Sequence, residues 1–120
     1  MWVWDQAKGA LSRNNIVVAY GYSGLDAAKN NPLMQDAIGL GPIPRGNWKI
    51  SDLYNSKTTG PYTLRLDPEL GTDTCGRSAF RIHGDSILNP GSASHGCIIL
   101  PRQTRQMIWN SGDHSLSVVE

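Results

Sequence analysis

Apolar and polar residues alternate with a period of two along several short stretches of this chain, and recur at helical spacing along only one. Residues 62–66 set Tyr62, Leu64 and Leu66 on one face and Thr63 and Arg65 on the other. Phe80-Arg81-Ile82-His83 alternates likewise, directing Phe80 and Ile82 to the core and Arg81 and His83 away from it. Trp48-Lys49-Ile50-Ser51 has the same period. Residues 2–5 and 10–12 read as strands joined by the Gln6-Ala7-Lys8-Gly9 turn, and Asn14-Asn15 turns the chain again, giving two sequential hairpins. Ile16-Val17-Val18-Ala19-Tyr20 is β-branched and nearly continuous, which predicts a strand covered on both faces. Ile98-Ile99-Leu100 reads as a short buried strand, and residues 116–119 as the last one. Leu100, Thr104, Met107 and Ile108 recur at helical spacing, so residues 101–110 form a helix with Pro101 in its first position, ended by Ser111-Gly112-Asp113. Residues 25–29 suffice for one helical turn, which Asn30-Asn31-Pro32 breaks. Residues 67–76 are a loop, and Gly39-Leu40-Gly41-Pro42-Ile43-Pro44-Arg45-Gly46 is a rigid, ordered turn.

These elements predict a mainly β single domain over residues 1–120, a β-sandwich with one or two short helices and two sheets packed around a core. Its 120 residues, 39% hydrophobic with four Trp and four Tyr, supply a core of that size. Net charge is +1 with no basic cluster, which argues against nucleic acid as a partner. No apolar run reaches membrane-spanning length. The residues after Met1 lack the basic-then-apolar order of a signal peptide, so synthesis in the cytosol is expected, with a non-standard route to any site outside it.

The chemistry concentrates in His83-Gly84-Asp85 and Ser94-His95-Gly96-Cys97. A thiol attacks a carbonyl as thiolate, and a free cysteine titrates near about 8.5, so it needs a base or a positive field. Cys97 is the candidate nucleophile. Gly96 beside it lets backbone approach a substrate, and successive N–H groups at such a turn are the usual material of an oxyanion hole; Ser94 bonds within the turn. His83 is the candidate general base, oriented by the Gly84 carbonyl or by Asp85. His95 takes an accessory role, and His114 reads as a solvated surface residue. Cys75 and Cys97 are the only cysteines, and a bridge between them would consume the thiol. Cys75, His83, His95 and Cys97 are four acceptable zinc ligands, but no closely spaced ligand pair accompanies them, so no metal and no cofactor is expected. The histidine precedes the cysteine, the reverse of papain-like peptidases. An acyl-transfer enzyme using cysteine is the leading reading, and a catalytically idle binding module the alternative.

His83-Gly84 followed by Ser94-His95-Gly96-Cys97 resembles the L,D-transpeptidase catalytic domain of YkuD type, and Gly41-Pro42-Ile43-Pro44-Arg45-Gly46 matches a turn often found upstream in that family. With Tyr22-Ser23-Gly24 and Asn30-Asn31-Pro32, the chain is most similar to the short branch of type VI secretion effectors that attack the bacterial cell wall. The resemblance implies Cys97 as nucleophile, His83 as base, Gly84 as orienting carbonyl and His95 as second histidine. It implies peptidoglycan stem tetrapeptides as substrate, with carboxypeptidase, exchange or cross-linking outcomes, and action in the periplasm or cell wall; a monomer is expected. An immunity protein is the expected partner if the protein passes between cells. Many members carry arginine two residues after the cysteine, where this chain has Ile99; Arg81, Arg102 and Arg77 are the candidates to take its place. The Pro-rich turn and the 21–31 loop are expected as walls of the substrate groove, with Tyr22 a contact.

Overall fold

A computed structural model describes all residues, 1–120. The first three strands, β1 (Trp2–Asp5), β2 (Ala10–Arg13) and β3 (Ile16–Tyr20), form the two expected hairpins. Asn14 and Asn15 both take positive φ (54° and 64°) and pair Arg13 with Ile16, the two-residue turn whose twist suits a hairpin. After β4 (Tyr22–Ser23), single 3-10 turns at Asp26–Ala28 and Pro32–Met34 replace the one helical turn; the Asn31 side chain caps the second by accepting from the Leu33 N–H. The long hairpin of β5 (Gly46–Ser56) and β6 (Gly60–Pro68) follows. Then come β7 (Arg81–His83), β8 (Ile98–Ile99), helix α1 (Arg102–Asn110) and β9 (Ser115–Val119).

All nine strands belong to one sheet, in the order β3-β2-β1-β9-β5-β6-β7-β8-β4. The two expected layers are therefore parts of one hydrogen-bonded ladder. Side chains from β1, β2, β5, β6, β7, β8 and β9 meet in one cluster of 15 buried apolar residues, which requires the sheet to curl on itself. β5 carries two irregularities of register, after Ile50 and after Tyr54, of the kind that bends a strand. Trp2, Trp4, Trp48, Leu64, Ile82 and Ile98 are all but inaccessible.

Three expectations, on β3, Met107 and Pro101, differ from the structure. β3 is an edge strand rather than a covered one: Ile16 is 66% and Tyr20 69% exposed, and only Ala19 packs against the core. Met107 points to solvent, and Arg105 takes the buried position, its guanidinium donating to the carbonyls of Leu100, Pro61 and Tyr62. Pro101 is the residue before the helix rather than its first, extended at φ −59° and ψ 154°. Thr63 is buried on the polar side of β6, its hydroxyl bonded to Thr59 and the Gly60 carbonyl.

A core truncation and an edge truncation should separate sharply. Ile82→Ala is expected to cost about 2–5 kcal/mol in urea unfolding, whereas Val17→Ala stays within about 0.5 kcal/mol.

Candidate active site

β7 and β8 run parallel, with Ile82 opposite Ile98 and His83 opposite Ile99. Ile82 and Ile98 both face the core, so pleating turns their neighbours His83 and Cys97 to the other side of the pair. Continuing the register sets Cys97 beside Arg81, whose backbone N–H favours the thiolate form of the sulfur. Both His83 and Cys97 line one open cavity of about 820 Å³. Its walls are the 76–81 segment, the β5–β6 hairpin tip at Thr58 and Thr59, the loop from Gly84 to Ala93, and Ile38-Gly39.

His83 is 4% exposed. Its Nδ1 lies 2.8 Å from the Gly84 carbonyl oxygen. A carbonyl only accepts, so Nδ1 carries the proton and the neutral ring presents Nε2 as its basic atom. Gly84 is needed for space: a Cβ there would stand 2.9 Å from Nη2 of the immobilised Arg105. Burial, with the charges of Arg105 and Arg81, holds the His83 pKa below its ordinary value despite the opposing Gly84 hydrogen bond. The imidazole is therefore neutral at pH 7.

Burial likewise pushes the Cys97 thiol above its ordinary value, while the Arg81 N–H and the guanidiniums of Arg81 and Arg77 pull it back. The thiol points at the Ala79 carbonyl, with Sγ 3.8 Å from the oxygen. Ala79 sits at φ 64°, a left-handed conformation costly for a residue with a Cβ. Both shifts favour the neutral thiol and the neutral imidazole over thiolate and imidazolium.

The turn carrying the cysteine is fixed from beneath. Ser94 is fully buried; its hydroxyl donates to the Cys97 carbonyl and accepts from the N–H groups of Gly24 and Gly96. Ser23 donates to the Gly96 carbonyl and accepts from the Ile43 N–H. Gly96 has φ 138°, and a Cβ would fall 2.5 Å from Arg77 Nη2, so only glycine fits. Its N–H, expected as an oxyanion donor, is already given to Ser94.

The remaining expected residues divide. His95 lines the cavity, exposed, with Nδ1 3.0 Å from the Gly39 carbonyl. Arg81 lines it and makes no side-chain hydrogen bond or ion pair. Arg77 also lines it, but its guanidinium is spent on the carbonyls of Gln35, Gly41, Pro42 and His95. Arg102 lies outside, 5.4 Å over the Tyr62 ring. Tyr22 is outside too: its hydroxyl donates to Asp85 and accepts from the Ala93 N–H, bracing the 84–93 loop instead of contacting the cavity. The 21–31 loop is absent from the walls, and of the Pro-rich turn only Gly39 reaches them, the carbonyls of Gly41 and Pro42 being held behind by Arg77. His114, expected in solvent, is half-buried, bonded to the Ile50 carbonyl and edge-on to Trp109. Cys75 and Cys97 are both free thiols.

The Tlde1 domain matches residues 18–119, from within β3 to the last residue of β9. The chain belongs to the Tlde1 family. Tlde1 domains are type VI secretion effector domains directed at peptidoglycan, and the matched span contains every residue of the cavity. No curated protein matches the chain. In this Tlde1 domain, no helix is long and apolar enough to cross a membrane.

The resting state of the pair has a direct readout. Alkylation of Cys97 by iodoacetamide, followed by peptide mass mapping, should keep accelerating as pH rises past about 8.5. A plateau between pH 6 and 7 would instead indicate a preformed thiolate–imidazolium pair.

Proposed function

We propose that this Tlde1 domain is a cysteine acyl-transfer enzyme acting on peptidoglycan stem tetrapeptides. The observation that supports this most is the placement of His83, pinned as its Nδ1–H tautomer, in the same cavity as the Cys97 thiol. In this reading Nε2 of His83 takes the thiol proton as sulfur adds to the carbonyl on the L-centre of the diamino acid. The tetrahedral adduct collapses by breaking the C–N bond, and the imidazolium returns the proton to the departing D-alanine amine. The acyl group is left as a thioester on Cys97. Water resolves it in carboxypeptidase action, a free D-amino acid in exchange, and a second stem's amine in cross-linking; His83 removes a proton from whichever attacks.

Arg81 is the cation for a substrate carboxylate in this scheme. It stands in for the arginine that related enzymes carry where this chain has Ile99. The choice rests on exclusion: Arg77 is bound to four carbonyls and Arg102 is elsewhere. The exposed His95 stands at the rim, placed to touch substrate, while His83 serves the thiol. Delivery by a type VI machine would bring the domain to the periplasm of a target cell, with an immunity protein that blocks the cavity as its natural partner.

Incubation with disaccharide tetrapeptide and mass analysis of products tests the reading. Wild-type protein should release D-alanine, and Cys97→Ala should abolish release while keeping the fold. Activity surviving in Cys97→Ala would exclude a thiol mechanism; binding of peptidoglycan without turnover by wild type would make the domain an idle binding module. His83→Ala should lower kcat about 10²–10⁴-fold. The rate requires neutral His83, so it falls as pH drops through that group's pKa; because this pKa is depressed, the acid limb of kcat/KM should lie below pH 6.5. A carbapenem should add covalently at Cys97, visible as an intact-mass increase.

A further inference from the structure

Arg65 on β6 and Arg81 on β7 are registered partners across the sheet, flanked by the core pair Leu64 and Ile82, so both guanidiniums leave from the face opposite the core. Like charges directly opposite one another destabilise a strand pair. The cost is only partly relieved. Arg65 Nε reaches Asp67 Oδ1 at 3.3 Å in an exposed pair, and Arg81 has no carboxylate within ion-pair distance. The next strand continues the row, since Asp52 of β5 is registered with Arg65, but its carboxylate accepts from the Leu53 N–H and pairs with neither arginine.

A second cavity, of about 580 Å³, opens over this row and meets the Cys97 cavity along Arg77 to Arg81. Arg65, Arg77 and Arg81 line it with only Asp52 and Asp67 as anions, leaving one positive charge in excess. Arg77 cannot turn toward a ligand. Arg65 can, because an exposed ion pair is weak and readily exchanged. Arg81 is unpaired and belongs to both cavities. A chain lying across β6 and β7 would pass from Arg65 over Arg81 to the sulfur.

We infer that the Arg65–Arg81 pair is a carboxylate-binding subsite, taking an acidic side chain or terminus of a peptide whose scissile carbonyl lies at Cys97. The inference deepens the proposed function, on which its natural substrate rests: it extends the stem-peptide site beyond the Cys97 cavity onto the face of β6, where sequence reading had assigned Arg65 no role. Guanidinium and carboxylate are matched for paired hydrogen bonds, so two arginines side by side across the strands recognise an acidic peptide better than a neutral isostere.

The test separates this subsite from the reaction. Protection of Cys97 against iodoacetamide is measured with acetyl-Glu-Glu-amide and with acetyl-Gln-Gln-amide, reading Cys97 and Cys75 separately by peptide mass mapping. The acidic dipeptide should slow alkylation at Cys97 and the neutral one should not. Arg65→Gln and Arg81→Gln should each weaken that protection about three- to ten-fold, with rates in the absence of dipeptide still readable for each variant. Equal protection by both dipeptides, protection by neither, or an unchanged effect in Arg65→Gln would overturn the subsite. With stem tetrapeptide, Arg65→Gln should raise KM by a similar factor and leave kcat near wild type. An unchanged KM overturns the subsite alone, whereas acidic-dipeptide protection without any stem-peptide turnover by wild type keeps the subsite and removes the proposed reaction.

Discussion

The hydrogen bond from His83 Nδ1 to the Gly84 carbonyl is the contact on which the site depends. It joins a side chain to the backbone of the next residue, so it is short-range and stiff. It selects one tautomer, and that choice decides which nitrogen is available as base. The bond exists because β7 ends at His83 and the chain then turns at a glycine wedged against Arg105. Arg105 in turn is held by three carbonyls from β6 and the residue after β8, so α1 fixes the turn that orients His83 through a charged side chain rather than an apolar one.

A second guanidinium does the equivalent work on the cysteine side. Arg77 gathers carbonyls from Gln35, Gly41, Pro42 and His95, tying the Pro-rich turn to the loop that carries Cys97. Ser23 and Ser94 complete that scaffold. Two buried arginines, each satisfied by backbone oxygens, thus hold the two halves of the site from opposite sides. Neither meets a carboxylate, and Arg77 keeps a positive charge near the thiol while its donors stay occupied.

Local pattern carried much of the fold. The alternation in Phe80-Arg81-Ile82-His83 and the apolar Ile98-Ile99 placed β7 and β8 correctly, and paired asparagines marked the β2–β3 turn. What pattern could not carry was tertiary. β9 inserts between β1 and β5, parallel to one and antiparallel to the other, a pairing across the whole chain that no local period encodes. Ile16 to Tyr20 has the composition of a buried strand yet lies at the sheet's edge, since composition reports β propensity and not the neighbours. Cys97 and His83, which share the cavity, were legible as a motif. The supports were not: Arg77, Ser23 and the strained Ala79 act through backbone contacts whose only sequence signal is polar residues in Gly-rich loops. Arg65 read as an ordinary outward residue until register set it against Arg81.

The central claim of the proposed mechanism is that the cavity holding the Cys97 thiol also holds a neutral His83 imidazole whose free lone pair is on Nε2. Nitrogen-15 NMR of the ring, with His83 assigned by substitution, measures this directly. The account predicts at pH 7 a neutral ring protonated on Nδ1, acquiring its second proton only below pH 6.5. A ring protonated on Nε2 alone, or an imidazolium persisting at pH 7, would contradict it.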